Sequence, residues 1–140
     1  MAETPPAVVV HGLDHALAAA RAAEALGCAV RIRSGPAAAG YAGAAWFAEL
    51  VRAARQAHPD VRIDAVLDCG DSPGLALAAF RRSVETVLFT GPAALRGKLE
   101  ALAAASGARL ESEAAPALDL AREEEPETAC RAWLAAARAC

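Results

Sequence analysis

The sequence predicts an α/β fold arranged as three layers, α/β/α, around a five-stranded parallel sheet. Three observations carry that prediction. Short apolar runs alternate strictly with helical patterns along the chain, the order that a parallel sheet with crossover helices requires. Two of those runs, Ala7-Val8-Val9-Val10 and Ala65-Val66-Leu67, are apolar at every position, as strands covered on both faces are. Proline and glycine punctuate the joints: Ser72-Pro73 and Gly91-Pro92 open helices, while Gly27 and Gly107 close them.

Met1 to Pro6 reads as a frayed lead-in, and Ala7 to Val10 as the first buried strand, closing on His11-Gly12. A helix follows, with Asp14 as its N-cap and Leu17, Ala20 and Ala23 on its packing side. The second strand, Cys28 to Arg33, alternates Val30 and Ile32 with Arg31 and Arg33, so one row is charged and the strand is expected at a sheet edge. The glycine-rich stretch Ser34 to Gly43 leads into the longest helix, Tyr41 to Ala57, whose apolar stripe is Trp46, Phe47, Leu50, Val51 and Ala54. His58-Pro59 ends it, because the residue before a proline is pushed out of helical geometry.

Val61 to Leu67 is the third strand. Ser72 then caps a helix that begins at Pro73, where the missing N–H is tolerated. Glu85 to Thr90 is the fourth strand, and the helix after Gly91-Pro92 turns Leu95, Leu99 and Leu102 inward. Arg109-Leu110-Glu111 is a short fifth strand, flanked by charge and placed at the other edge. Residues 113–125 read as a polar connection in which Leu118 and Leu120 tack down onto the body. A final helix from Pro126 presents Cys130, Trp133, Leu134 and Ala137 along one side. With strands one, three and four buried and two and five at the edges, the order becomes 2-1-3-4-5, the flavodoxin-like arrangement. Its switch point falls between strands one and three, where ligands of such sheets gather.

Composition narrows the function classes. The chain has 140 residues, enough for one domain with a sizeable core. Over a quarter of them are alanine, and aromatics make up only 4%, so helices must pack closely through small side chains. Asparagine is absent and Lys98 is the only lysine, a GC-rich bias that empties the Arg-over-Lys preference of functional meaning. A net charge of −3 and arginines scattered without interleaved aromatics argue against nucleic acid. No apolar run approaches the roughly 20 residues of a membrane span, and no basic leader precedes the first strand, so a cytoplasmic protein is expected. Cys28, Cys69, Cys130 and Cys140 contain no Cys-x-x-Cys pair and no zinc spacing, which predicts free thiols and no metal.

The candidate site follows from the predicted switch point. His11, Asp68 and Cys69 supply a base, an acid and a nucleophile, the parts of a thiol enzyme. A cysteine at a strand end beside a helix N-terminus can become a reactive thiolate. Structural roles compete with that reading: Asp68 and Asp71 can cap turn amides, and Cys69 can fill a buried tip. Gly12, Ser34, Gly35, Gly70, Asp71, Thr90 and Gly91 complete the ligand-binding set, since glycines let backbone amides approach an anion. The Ser34–Gly43 loop matches neither Gly-x-Gly-x-x-Gly nor a P-loop, and no cofactor motif is present. His11, Asp14 and His15 are metal-ligand types, yet a histidine in an early helical turn more commonly faces solvent.

Asp68 at the end of strand three and Thr90 at the end of strand four resemble the response-regulator receiver domains, which place a phosphoacceptor aspartate and a Thr or Ser there. The resemblance stops at those positions and the sheet order. Val10-His11-Gly12 replaces the acidic pair that holds Mg²⁺, and Leu110-Glu111 stands where a lysine belongs. Phosphoryl transfer without those carboxylates loses its metal. The expectation is therefore a small cytoplasmic domain binding a small ligand or a protein partner at the carboxyl end of its sheet. The alternatives are an enzyme using Cys69 or Asp68 with His11, and a degenerate receiver acting through protein contacts. The Trp133 stripe is assigned to the core, with a homodimer contact as the second choice.

Overall fold

A computed structural model describes residues 4–137. The chain forms β1 (Ala7–Val10), α1 (Leu13–Leu26), β2 (Val30–Ser34), α2 (Ala38–Tyr41), α3 (Ala44–Ala57), β3 (Ile63–Asp68), α4 (Pro73–Arg81) and β4 (Thr86–Leu88). It continues through α5 (Ala93–Ala105), β5 (Arg109–Glu111), β6 (Ala117–Asp119), a 3₁₀ turn at Leu120–Arg122 and α6 (Pro126–Ala136). The α/β class with a parallel sheet and flanking helices holds. The strand count and order do not: six strands run β5-β4-β3-β2-β1-β6.

Two local features produce that correction. The first is β2, which is not an edge strand but lies between β1 and β3. Its charged row is only partly open to water. Arg31 is only 7% exposed, and Arg33 donates from Nη1 to the Ala115 carbonyl at 2.8 Å. A guanidinium can cover apolar surface with its stem while its head finds a carbonyl, so an alternating Arg row need not mark an edge. The second feature is β6, which lies inside the stretch read as a polar connection. It pairs in parallel with β1, matching Ala7 with Ala117, Val8 with Leu118 and Val9 with Asp119. Three residues following Pro116 give no apolar run, and the ladder to β1 supplies the order that local propensity lacks.

With β2 inserted between them, β1 and β3 are not neighbours, and the expected switch point between them does not exist. Strands one to five follow one another in sheet order, and the chain then returns to place β6 on the far side of β1. The order therefore reverses between β1 and β6.

By contacts the chain gathers into two compact units. One comprises the N-terminal segment through Arg33, Leu50–Asp64, and the segment from Ala115 onward; the other comprises Ser34–Glu49 and Ala65–Ala114. In the first, α1 packs on α6. Ala16, Ala19, Ala20, Ala22 and Ala23 are fully buried along α1, and Arg21 Nε donates to Glu127 Oε1 at 2.6 Å across the pair. Glu127 also takes Arg131 Nη2 at 2.9 Å. The Arg21 bond foremost, with Arg131 adding, outweighs burial and holds the Glu127 carboxyl below the usual range. Trp133, half-buried, donates from its indole N–H to the Ala7 carbonyl at 3.0 Å. Residues just before β1 are also tied in, since Pro5 is buried and the Pro6 carbonyl accepts the Arg31 N–H at 3.0 Å. The rest of the expected frayed lead-in, Met1 to Glu3, lies outside the described residues.

Boundaries differ in smaller ways. α1 is capped by Gly12, in extended geometry and without a side-chain cap bond, and Asp14 sits in its first turn rather than at its N-cap. Gly27 closes it in left-handed geometry, with φ 69°. The long helix starts at Ala44 rather than Tyr41, after the four-residue α2. Leu99 is buried, but Leu102 is 47% exposed and does not turn inward.

Candidate functional site

The carboxyl ends of β1 and β6 emerge side by side, and each delivers one polar side chain. The Val9–Asp119 register sets Asp119 at the last position of β6 and His11 one residue past the end of β1. His11 Nε2 and Asp119 Oδ1 are 2.7 Å apart, with each side chain 32% exposed. The same Oδ1 accepts the Ala121 N–H at 3.0 Å, making Asp119 the cap of the 3₁₀ turn. Arg122 Nε approaches Asp119 Oδ2 at 3.9 Å. Burial pushes the Asp119 carboxyl up; the bonds from His11 and Ala121 and the charges of His11 and Arg122 outweigh it, leaving the group below the ordinary carboxylate range.

His15 completes the cluster. From the first turn of α1 its Nδ1 accepts the His11 backbone N–H at 3.1 Å, and the two rings meet edge to face at 5.8 Å. These bonds fix both tautomers. A backbone amide is always a donor, so His15 Nδ1 carries no proton and Nε2 carries it. Asp119, ionised above its lowered pKa, can only accept, so His11 Nε2 carries a proton. Neutral His11 then has its lone pair at Nδ1. Asp119 does for His11 what a carboxylate does in any Asp–His pair: it sets the tautomer and the ring orientation. Among the described residues no group of three or more His, Cys, Asp or Glu is arranged to hold a metal ion.

The other expected site residues lie in the second compact unit, around the tips of β3 and β4. Asp68 accepts the Gly70 N–H at Oδ1, 2.8 Å, and its own N–H donates to Ser34 Oγ at 2.9 Å. Ser34 is 1% exposed and directs its hydroxyl at the Gly35 carbonyl, 3.4 Å. Cys69 is wholly buried, its N–H donating to the Leu88 carbonyl at 2.9 Å. Burial first, then the Asp68 charge, pushes its thiol up to about 12, so almost no thiolate exists at neutral pH.

Glycines at these tips serve close packing. Gly70 is left-handed, and a Cβ there would come 3.2 Å from Ala37 Cβ. At Gly91 a Cβ would run into the Phe89 ring and come 3.0 Å from the Asp71 carbonyl. The exposed Thr90 donates its N–H to the Gly70 carbonyl at 2.8 Å. Ser72 caps α4 as expected, accepting the Leu75 N–H at 3.2 Å, with Pro73 at the first helical position.

His11 and Gly12 thus stand with His15 and Asp119 in one unit, and Ser34, Gly35, Asp68, Cys69, Gly70, Asp71, Thr90 and Gly91 in the other. Sequence reasoning misses Asp119 because it misses β6. The signal for it is the alternation Leu118-Asp119-Leu120, two apolar residues flanking an acid at strand spacing; Leu120 is fully buried. Cys28, Cys69 and Cys130 are free thiols. Cys130 is buried and pushed up to about 12, by burial first and then by Glu127 and Glu123. Cys140 lies outside the described residues. A cleft of about 490 Å³ opens in the first unit beside Gly27, Cys28, Asp60 and Arg62, at the ends from which β2 and β3 start. Arg62 is already clasped by Asp64, and nearby Glu24 by His58 at 3.0 Å.

No protein-family model and no curated protein matches this chain. Among solved structures the chain is similar to a protein of Coccidioides immitis provisionally described as a fructose-1,6-biphosphate aldolase, with 25% identity and a TM-score of 0.64. The likeness covers 76% of this chain and 40% of that one, so the chain spans less than half of that relative's length. Among the described residues no helix is long and apolar enough to cross a membrane.

Proposed function

We propose that the carboxyl edge between β1 and β6 binds a small, hydroxyl-rich metabolite, with His11 and His15 as its contacts and Asp119 holding the His11 ring. The observation that carries this reading is the His11–Asp119 bond at the place where, among the described strands, the sheet order reverses. Parallel sheets bind their ligands outside the carboxyl ends of strands at such a reversal. The polar groups there are at least partly exposed and of mixed kind: a ring acceptor on His11 and a ring N–H on His15. Hydroxyl groups, which both donate and accept, match that mixture. The sugar bisphosphate in the description of the structural neighbour belongs to the same chemical class.

The thiol-enzyme alternative loses support from the burial of Cys69, and the receiver alternative from the way Asp68 is engaged by the Gly70 amide. The test uses the three histidines of the chain as reporters. Titration with dihydroxyacetone, its phosphate, or fructose 1,6-bisphosphate should shift the His11 and His15 imidazole signals saturably and leave His58 unmoved. Equal drift of all three signals, or no response at millimolar ligand, would rule the site out.

A further inference from the structure

The tautomers fixed by the backbone and by Asp119 assign different work to the two rings. Neutral His11 holds its Nε2 proton against Asp119 and has a lone pair at Nδ1. His15 spends its Nδ1 lone pair on the His11 amide and keeps a proton on Nε2, at the opposite edge of its ring. Among the described residues neither ring makes a further hydrogen bond to the protein. A ring with an acceptor and a ring with a donor therefore meet edge to face, centroids 5.8 Å apart, one in the turn after β1 and the other in the first turn of α1.

We infer that His11 and His15 act as a proton-accepting and hydrogen-bond-donating pair on a small hydroxycarbonyl compound, one with a hydroxyl on the carbon next to its C=O. The inference rests on the proposed ligand site and adds a reaction to it. His11 Nδ1 takes the proton from the hydroxyl-bearing carbon. The electron pair of that C–H bond becomes the new C=C bond, and the carbonyl π pair settles on oxygen. The resulting enediolate oxygen is held by the His15 Nε2–H. Returning the proton to the same carbon restores the compound; delivering it to the former carbonyl carbon gives the isomer, with the hydroxyl proton passing from the first oxygen, which becomes the new carbonyl, to the second. Nothing is oxidised or reduced overall, and no co-reactant is needed. Asp119 is a positioning residue, since it acts only through the tautomer and orientation of His11.

The experiment is solvent exchange: dihydroxyacetone or dihydroxyacetone phosphate is incubated with the full chain in D₂O, and loss of the C–H signal is followed by proton NMR. A general base contributes about a hundredfold or more to proton transfer, so His11→Gln is expected to lower the exchange rate by at least that factor. His15→Gln removes the donor and should lower it less. Asp119→Ala should also lower it, with partial recovery in Asp119→Glu, a pattern that lost folding alone would not give. His58→Gln is the control that leaves the rate unchanged. If a probe shifts the His11 and His15 signals but acquires no deuterium, the proton-transfer inference is overturned and ligand binding stands. If neither probe shifts them and no deuterium enters, both fall. Exchange that survives His11→Gln undiminished would also overturn the assignment.

Discussion

Two sets of strand tips in this protein carry polar residues, and they treat them in opposite ways. At the β1–β6 tips the His11 ring bonds to the Asp119 carboxylate, the His15 ring takes the His11 backbone N–H, and all three side chains stay at least partly exposed. At the β3–β4 tips, Asp68, Cys69 and Ser34 are used by the backbone or sealed in the core. Both sets satisfy the positional rule for sites in parallel sheets. What separates them is whether a polar atom remains after the local turn has taken what it needs. Both Asp68 and Asp119 cap a turn amide; Asp119 differs in also holding a second side chain, the His11 ring.

That contrast can be broken most sharply by thiol chemistry. Cys69 is pushed up to about 12, so iodoacetamide should modify it at neutral pH about a thousandfold more slowly in the folded protein than in the denatured chain, where a thiol has a pKa of about 8.5. Cys130, likewise at about 12, should behave the same way. Peptide mass spectrometry reads both. Rapid modification of Cys69 in the native protein would return the β3–β4 tips to contention as a chemical site.

Stability measurements sharpen the same contrast. Gly91→Ala forces a Cβ against the Phe89 ring and the Asp71 carbonyl, and overpacking of this kind costs about 1–3 kcal/mol. Chemical denaturation should show it, and an unchanged midpoint would mean the β3–β4 tips have slack. Cys69→Ser buries a hydroxyl and should cost about 1–3 kcal/mol, with no change in the response of His11 and His15 to ligand.

Asp119→Ala is the opposite kind of change. The pair is one-third exposed to solvent and Asp119 also caps the 3₁₀ turn through the Ala121 N–H, so its removal should cost about 0.5–2 kcal/mol, while abolishing the ligand response. Its pH dependence has a definite sign. The folded pKa lies below the unfolded value of about 3.9, so the contribution is full above that value. It disappears as the pH falls through the folded pKa. Wild type and Asp119→Ala should therefore differ at neutral pH and converge once the pH has fallen through the folded Asp119 pKa; a gap that persisted below it would contradict the pairing.

Much of the fold was legible because strong local signals agreed with it. β1 carries no ambiguity, since Ala7 to Val10 is apolar throughout; Ser72-Pro73 and Gly27 mark helix ends by their own conformational preferences. The sheet order was not legible, because it turns on Arg31 and Arg33. Their charges suggest a solvent-facing row, although Arg31 is buried and Arg33 reaches the Ala115 carbonyl. Half of the site was lost with it. His11 stands out as a histidine at a strand end, but its partner lies 108 positions away, on a three-residue strand that exists only through its pairing with β1. Long-range register of that kind leaves little trace in local composition.

The central claim is that Asp119 fixes His11 with its proton on Nε2 and so sets Nδ1 as the atom offered to a ligand. Long-range ¹H–¹⁵N correlation of the imidazole rings, recorded at mildly alkaline pH, reads the tautomer of each histidine directly. The account predicts the Nε2–H form for both His11 and His15, with His11 released to a tautomer mixture in Asp119→Ala and His15 unchanged. A His11 ring protonated on Nδ1, or one whose tautomer ignores the loss of Asp119, would contradict it.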